Sequence, residues 1–199
     1  STPLYSSAAS DVYKRQPLTL AHGAPLRLVV PGFSGNHWMK WLVAVEPSDD
    51  EAEGFYQRTA YRYPKQPVAP GTSVAPEETY PVRAFPIKSL IARPSDGSST
   101  RVGPQEIVGV AFSGEAEIAK VEVRVDEGSR WIEAALEGAP GVGRWQVFRH
   151  RFEATSPGVH RAMARATDRR GVVQPEKAAW NPSGYFWNGW HAVRWTVTP

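Results

Sequence analysis

The chain has 199 residues, of which 41% are hydrophobic and 11% aromatic; this fits one or two compact domains rather than a disordered or fibrous protein. The formal net charge is only +3, which gives little support to nucleic-acid binding, and no apolar run reaches the roughly 18 residues of a membrane span. There is no cysteine, which excludes a disulfide framework, a thiolate nucleophile and any cysteine-ligated metal within these residues.

The first sixteen residues differ in origin from the rest of the chain, as their sequence indicates. Residues 6–16, SSAASDVYKRQ, match the translation of a common transposon-based sequencing adapter, and residues 1–5 fit the bases that precede it. We therefore predict that residues 1–16 are not natural protein and that the natural sequence begins near Pro17, in the middle of a longer protein.

Two strands around a glycine-rich loop are predicted next. The stretch PLRLVVPG is a β-branched apolar run that stops at a Pro-Gly turn, and KWLVAVEP resumes the pattern after the loop. Between them, residues 32–35 offer backbone N–H groups, with Arg27, His37 and Lys40 close by in sequence; these are the components of an anion site. The spacing is not that of a P-loop, and the pattern alone favours a turn with solvated cations.

An aromatic segment and a connector follow the second predicted strand. GFYQRTAYRYP comes after the acidic turn of residues 48–53. Residues 65–86 are rich in proline and show little periodicity, which predicts an extended, polyproline-like connector. We expect a domain boundary near its end.

From Ile87 onward the pattern changes to short apolar segments about a dozen residues apart, separated by turn signals. Residues 121–125 alternate valine with charged residues, the period of a half-buried strand. The predicted strands are IKSLIARP, IVGVAFSG, AKVEVRVDEG, RWIEAALEG, RWQVFRHRF and VHRAMARATDRRG. They predict an antiparallel, immunoglobulin-like β-sandwich of about seven strands without the usual disulfide, and no helix over about ten residues is predicted.

A resemblance to a known family adds to these predictions. HGAPLRLVVPGFSGNHWMKWL resembles the segment H-G-x-P-x-R-x-V-V-P-G-x-x-G-x-x-x-x-K-W of the sulfite oxidase family of molybdenum enzymes. GFYQRTAYRYP is similar to an aromatic-Gln-x-x-x-Tyr segment of that family, PIKSLIARPSDG to the opening of its dimerisation domain, and QPEKAAWNPSGYFWNGWHAVRWTV to its terminus. The resemblance implies a mainly β protein in which residues 17–85 are the C-terminal remnant of an α+β molybdopterin domain with its connector. Residues 86–199 would be the immunoglobulin-like dimerisation domain.

The resemblance also implies a set of cofactor-binding residues. Carried over by position, His22 and Arg27 match cofactor-binding residues, and Trp38, Met39 and Lys40 match a tripeptide that contacts the molybdopterin. Cations are expected there, because a phosphate taken out of water needs charged hydrogen-bond donors. The two apolar members of the tripeptide are explained equally well by packing.

Two residues are implied at the substrate. Tyr61 matches the active-site tyrosine of the family, although a packed tyrosine is the alternative in so aromatic a segment. Arg149 aligns with an arginine of the anionic substrate pocket, but Arg144 and Arg151 lie close enough to be mistaken for it. An arginine on a sandwich strand is also commonly just solvated.

The implied reaction is the oxidation of sulfite to sulfate on a molybdenum–molybdopterin cofactor, with electrons passed to an acceptor such as a c-type cytochrome. Because the sequence lacks cysteine, the metal's thiolate ligand is expected outside it, and the fragment is not expected to be catalytic alone. Family analogy implies a periplasmic homodimer. The alternatives are another substrate within the family, such as nitrate or a sulfane sulfur, and a non-catalytic binding or assembly module.

Overall fold

The computed structural model describes residues 5–8, 17–126 and 130–199 and divides into two compact units. The first unit comprises Ser1–Ala84 together with Trp180–Tyr185, and the second comprises Phe85–Ala179 and Phe186–Pro199. The sequence pattern places a boundary near residue 85. It does not predict that a segment from near the C-terminus belongs to the first unit.

The first unit contains short elements joined by irregular chain. Its strands are β1 (Tyr5–Ala8), β2 (Leu26–Val29), β3 (Arg62–Pro64) and β4 (Thr79–Pro81). Single 3₁₀ turns cover Leu20–His22, Gly35–His37 and Pro76–Glu78, and a π-helical turn covers Tyr56–Ala60. Two antiparallel pairs form, β1 with β2 and β3 with β4. The connector predicted to be extended, residues 65–86, thus contains β4, which pairs back with β3 just before the connector.

The segment predicted to be of foreign origin falls almost entirely outside the described residues. Of residues 1–16, the structure describes the backbone of Tyr5–Ala8 alone, which pairs with β2 so that Tyr5 lies opposite Val29. Strand pairing uses backbone groups that every residue carries. The pairing of β1 with β2 therefore does not test whether residues 1–16 are natural protein.

The strand predicted for KWLVAVEP does not form, so this prediction was wrong. The backbone turns at Trp41, which has a φ of +52°, and no strand is assigned from Met39 to Ser48. The Leu42 N–H donates to the Leu26 carbonyl at 2.9 Å, but no continuous ladder follows. Beyond this point Val43 is 98% exposed, because none of the strands within residues 5–8, 17–126 and 130–199 lies beside it.

The second unit is a β-sandwich of eight strands. They are β5 (Lys88–Arg93), β6 (Ser99–Arg101), β7 (Gly103–Phe112), β8 (Ile118–Val125), β9 (Ile132–Glu137), β10 (Gln146–Ala154), β11 (Gly158–Asp168) and β12 (His191–Thr198). The hydrogen-bonded order is β5-β7-β10-β9-β8-β11-β12-β6. All six predicted segments coincide with strands, and the mainly β, immunoglobulin-like expectation is confirmed.

Strand β9 joins the two layers of the sandwich. Its first half pairs with β8, where Ala134 lies opposite Val121, and its second half pairs with β10, where Leu136 lies opposite Phe148. One strand therefore belongs to both layers, and the sheet curls around a single core. The parallel pairing of β12 with the short β6 completes the second layer.

The core of the second unit lies between these layers. Its largest fully buried apolar side chains are Trp195, Phe148 and Ile107, supported by the inward valines of β8 and alanines of β11. Gln174, itself 1% exposed, accepts hydrogen bonds from Ser89 and the Ala166 N–H and donates to a backbone carbonyl. Apolar burial and this satisfied polar network replace the missing disulfide. Among the described residues, no helix is long and apolar enough to cross a membrane.

Candidate functional site

The loop after β2 is built differently from the anion cradle suggested by its glycines. The Phe33 N–H donates to the Val30 carbonyl at 3.1 Å, and the Ser34 N–H donates to the Arg83 carbonyl at 3.0 Å. These two amides already have acceptors, so they cannot also bind an anion. The ring of His37 is engaged as well, because its Nε2 donates to the Val82 carbonyl at 2.6 Å.

The cationic side chains converge instead on the turn Leu20–Gly23. Three successive carbonyls of this turn each accept a side-chain donor: Leu20 from the Trp41 indole at 2.8 Å, Ala21 from Lys40 Nζ at 2.8 Å, and His22 from Arg27 Nη1 at 3.2 Å. His22 Nδ1 also lies 3.0 Å from the Thr19 hydroxyl. The structure thus brings the predicted residues His22, Arg27 and Lys40 together. We call the turn Leu20–Gly23, with the side chains of Arg27 and Lys40 bound to it, the cationic turn.

Glycine is required at the centre of the cationic turn. Gly23 has a φ of +108°, a conformation that L side chains rarely adopt. A Cβ atom at this position would lie 3.0 Å from both Cα and Cβ of Lys40. Lys40 can therefore reach the Ala21 carbonyl only because Gly23 has no side chain.

The charge of the cationic turn is not balanced within the part of the chain that the structure describes. There, Arg58 and Arg62 each pair with a glutamate, at 3.0 and 2.9 Å, whereas Arg27 and Lys40 have backbone carbonyls as partners and no carboxylate within ion-pair distance. Arg27 Nε is buried and finds no hydrogen-bond partner among the described residues. A buried donor without an acceptor costs about 1–3 kcal/mol. An anionic ligand oxygen would remove this cost.

Trp38 and Met39 contribute mainly to the loop itself. The Trp38 indole N–H donates to the Val30 carbonyl at 2.9 Å, and the Met39 carbonyl accepts from the Leu28 N–H at 2.8 Å. The Met39 side chain is half exposed. Both residues fix the loop against β2, and their predicted contact with a cofactor stays a prediction.

Tyr61 is held at the end of the π-helical turn. Its N–H donates to the Tyr56 carbonyl at 2.8 Å, which closes the turn, and its ring stacks on that of Tyr56 with centroids 5.7 Å apart. Arg62 anchors the turn from the other side, because its guanidinium donates to the Gln57 carbonyl and to Thr79 on β4.

A second tyrosine that the sequence analysis did not single out lies beside Tyr61. The Tyr185 ring packs at 6.0 Å from the Tyr61 ring, and its hydroxyl donates to the Ala60 carbonyl at 3.3 Å. Asn181 holds the Tyr185 backbone through both its amide atoms. Burial raises the pKa of Tyr63, which hydrogen-bonds to Asn181, so Asn181 contacts Tyr63 as well as Tyr185. The terminal motif WNPSGY was the only sequence signal for it.

Arg149 lies in the second unit, on strand β10, and its charge is matched. Its Nη1 and Nε each lie 2.9 Å from a carboxylate, those of Glu106 and Glu137, and hydrogen bonds to Glu137 and Glu106 raise the pKa of Arg149. Arg151 shares the Glu106 carboxylate at 3.1 Å. The proposed role of Arg149 at the substrate stays a prediction. Within the described residues, no group of histidine, aspartate and glutamate could hold a metal ion.

Two family models match the chain. The family model described as the Mo-co oxidoreductase dimerisation domain matches residues 79–198, more than half of the chain, and the oxidoreductase molybdopterin binding domain matches residues 12–56. The chain is 34% identical over 194 residues to mitochondrial sulfite oxidase of Mus musculus, covering 92% of this chain and 35% of that one. It is 29% identical to sulfite oxidase of Arabidopsis thaliana, covering 86% and 47%.

A solved structure is also similar. The sulfane dehydrogenase SoxCD from Paracoccus pantotrophus aligns with a TM-score of 0.74 and 27% identity, covering 90% of this chain and 46% of that one. The chain spans about a third to a half of the length of these relatives.

Proposed function

The chain belongs to the sulfite oxidase family of molybdopterin-dependent oxidoreductases, and we propose on that premise that it is part of an enzyme that oxidises sulfite to sulfate. The electrons pass to an acceptor such as a c-type cytochrome. The observation that carries the proposal is the cationic turn, where, among the residues that the structure describes, Arg27 and Lys40 have no carboxylate partner and the buried Nε–H of Arg27 has no acceptor.

These residues fit the anionic end of a molybdopterin. Arg27 and Lys40 would hold its phosphate, because a hydrogen bond between a cation and an anion is shorter and stronger than one between neutral groups. When bound, the molybdenum cofactor supplies two-electron oxidation coupled to oxygen-atom transfer. The family's metal-ligating cysteine is not among the residues of this chain, so the thiolate must come from residues beyond it.

Tyr61 acts on the substrate side. Its hydroxyl orients the sulfite oxyanion by donating a hydrogen bond, and it can hold or pass on a proton at Oη when water is consumed in forming sulfate. The π turn fixes the Tyr61 backbone, and stacking on Tyr56 limits rotation of its ring. Positioning of this kind lowers the entropy cost of bringing substrate and catalytic group together.

The phosphate-binding part of the proposal can be tested on the 199-residue chain itself. Inorganic phosphate is titrated while the Arg27 Nε–H resonance is followed by NMR. We expect saturable binding that Lys40→Gln weakens about tenfold, since one charge-assisted hydrogen bond is worth about 1.5 kcal/mol. Lys65→Gln is the matched control, because Lys65 Nζ likewise donates to a backbone carbonyl, that of Glu77. Equal binding by both variants would contradict the assignment.

The reaction is tested in a protein that joins this chain to the cysteine-bearing remainder. Sulfite-dependent reduction of ferricytochrome c is expected, with bound molybdenum in a one-to-one ratio, and Tyr61→Phe is expected to lower kcat. The 199-residue chain alone is expected to show no turnover. Turnover by the chain alone would contradict the requirement for an external thiolate.

A second substrate is favoured by one specific observation. The structural similarity to SoxCD, whose name gives its activity as a sulfane dehydrogenase, supports oxidation of a sulfane sulfur as the alternative to sulfite. The same complete protein, assayed with sulfite and with a thiol-bound sulfane sulfur, distinguishes the two by kcat/KM.

The second unit is proposed to form a homodimer. The support is the match of residues 79–198 to a family model described as a dimerisation domain. Light scattering of the 199-residue chain should give twice the mass of one chain if the second unit dimerises by itself. A periplasmic location is proposed by analogy with bacterial family members, and fractionation of cells expressing the complete protein tests it.

A further inference from the structure

The segment Trp180–Tyr185 follows β11 in the sequence, yet it belongs to the first unit. Asn181, which is 5% exposed, closes the segment into a compact loop. Its Nδ2 donates to the Tyr185 carbonyl at 2.7 Å, and its Oδ1 accepts from the Tyr185 N–H at 2.9 Å. These two hydrogen bonds fix the backbone of Tyr185 and thereby the position of its Cα–Cβ bond.

The Tyr185 side chain makes two contacts with the end of the π turn. Its hydroxyl donates to the carbonyl of Ala60, the last residue of the turn, at 3.3 Å. The centroid of its ring lies 6.0 Å from that of the Tyr61 ring, at an interplanar angle of 43°. The Tyr56 ring also contacts the Tyr61 ring, with centroids 5.7 Å apart. The Tyr61 ring therefore has an aromatic neighbour from the π turn and another from the C-terminal segment.

We propose that Tyr185 is a positioning residue for Tyr61. The hydroxyl of Tyr185 restrains the peptide unit between Ala60 and Tyr61, and its ring limits the rotamers of the Tyr61 phenol. This inference rests on the proposed function only in taking Tyr61 to be the catalytic tyrosine. Tyr185 acts through Tyr61 and is assigned no contact with substrate.

The two contacts can be separated by two substitutions in the 199-residue chain. Tyr185→Phe removes the hydrogen bond and keeps the ring, and Tyr185→Leu removes both. Hydrogen exchange at the Tyr61 amide, which closes the π turn, should rise about two- to tenfold in Tyr185→Phe, the effect of one ordinary hydrogen bond. The ring resonances of Tyr61 should stay in place in Tyr185→Phe and move in Tyr185→Leu, where the ring current of the neighbour is lost.

Tyr80→Leu is the matched control. Tyr80 packs on Tyr63 at 5.7 Å in the same unit, a contact of the same kind as that between Tyr185 and Tyr61. The proposal is overturned if Tyr185→Phe leaves exchange at the Tyr61 amide unchanged, or if the control changes Tyr61 equally. If Tyr185→Leu unfolds the first unit, Tyr185→Phe alone decides. None of these measurements needs cofactor or turnover, so failure here is distinct from failure of the Tyr61→Phe activity test.

Discussion

Replacing Gly23 with alanine should distort the cationic turn more than an ordinary glycine substitution does. The new Cβ would lie 3.0 Å from Cα and Cβ of Lys40, and a backbone atom cannot move aside as a flexible side chain can. Either Lys40 or the turn must shift. In both cases the hydrogen bond from Lys40 Nζ to the Ala21 carbonyl is strained.

The magnitude follows from two contributions. A non-glycine residue at a positive φ costs roughly 1–2 kcal/mol, and forcing atoms into an occupied space costs about 1–3 kcal/mol more. Gly23→Ala should therefore destabilise the turn by about 2–5 kcal/mol. Gly71 provides the comparison, because its φ is +84° and a Cβ there would meet nothing within 4 Å. Gly71→Ala should cost only the first contribution.

Hydrogen exchange measured by mass spectrometry on peptides covering residues 20–42 reports the local cost. Exchange in Gly23→Ala should be at least about thirtyfold faster than in wild type, the factor that corresponds to about 2 kcal/mol, and phosphate should bind more weakly because Lys40 is displaced. Peptides around residue 71 provide the corresponding measurement for Gly71→Ala. If the two substitutions cost the same free energy, the close approach of Lys40 to Gly23 does not constrain the turn, and the reasoning fails.

Two further predictions concern the second unit. His191 Nδ1 accepts the Ile91 N–H at 3.1 Å, and burial lowers the pKa of His191. The stability that neutral His191 contributes is therefore present above its ordinary pKa of about 6.5 and is lost as the pH falls towards the lowered value. His191→Asn should flatten the dependence of the melting temperature on pH between about 7.5 and 5. An unchanged slope would contradict this role of His191. Gly109→Ala should lower the free energy of unfolding of the unit, measured by urea denaturation, by at least about 3 kcal/mol. The reason is that the new Cβ would lie 2.2 Å from Phe148 Cζ and 2.3 Å from the Leu90 carbonyl oxygen. A loss under about 1 kcal/mol would mean that the core adapts.

The strands of the second unit could be predicted from the sequence because each has its partner within the chain. Val121 and Val123 alternate with charged residues and are both buried, as the period of two requires. KWLVAVEP carries a similar pattern, but Val43 has no neighbour to pack against in the part of the chain that the structure describes and stays exposed. Apolar periodicity indicates which strand could form, and the pairing partner decides whether it does.

The candidate site was predictable only in part for a related reason. The resemblance gave His22, Arg27 and Lys40, and the structure brings them to one turn. The role of Gly23 depends on a distance across the turn, which no local pattern encodes. The contact of Tyr185 with Ala60 spans 125 residues, and such long-range contacts leave no periodic signal.

The chain passes between its two units three times, at Ala84–Phe85, Ala179–Trp180 and Tyr185–Phe186. During synthesis, strands β5 to β11 emerge before Trp180–Tyr185 becomes available to the first unit. Because domains fold as their residues leave the ribosome, most of the sandwich can form while the Tyr61 region still lacks its last segment. The Tyr61 region is thus completed late in synthesis, and a chain that ends before residue 180 would lack the last segment of its first unit.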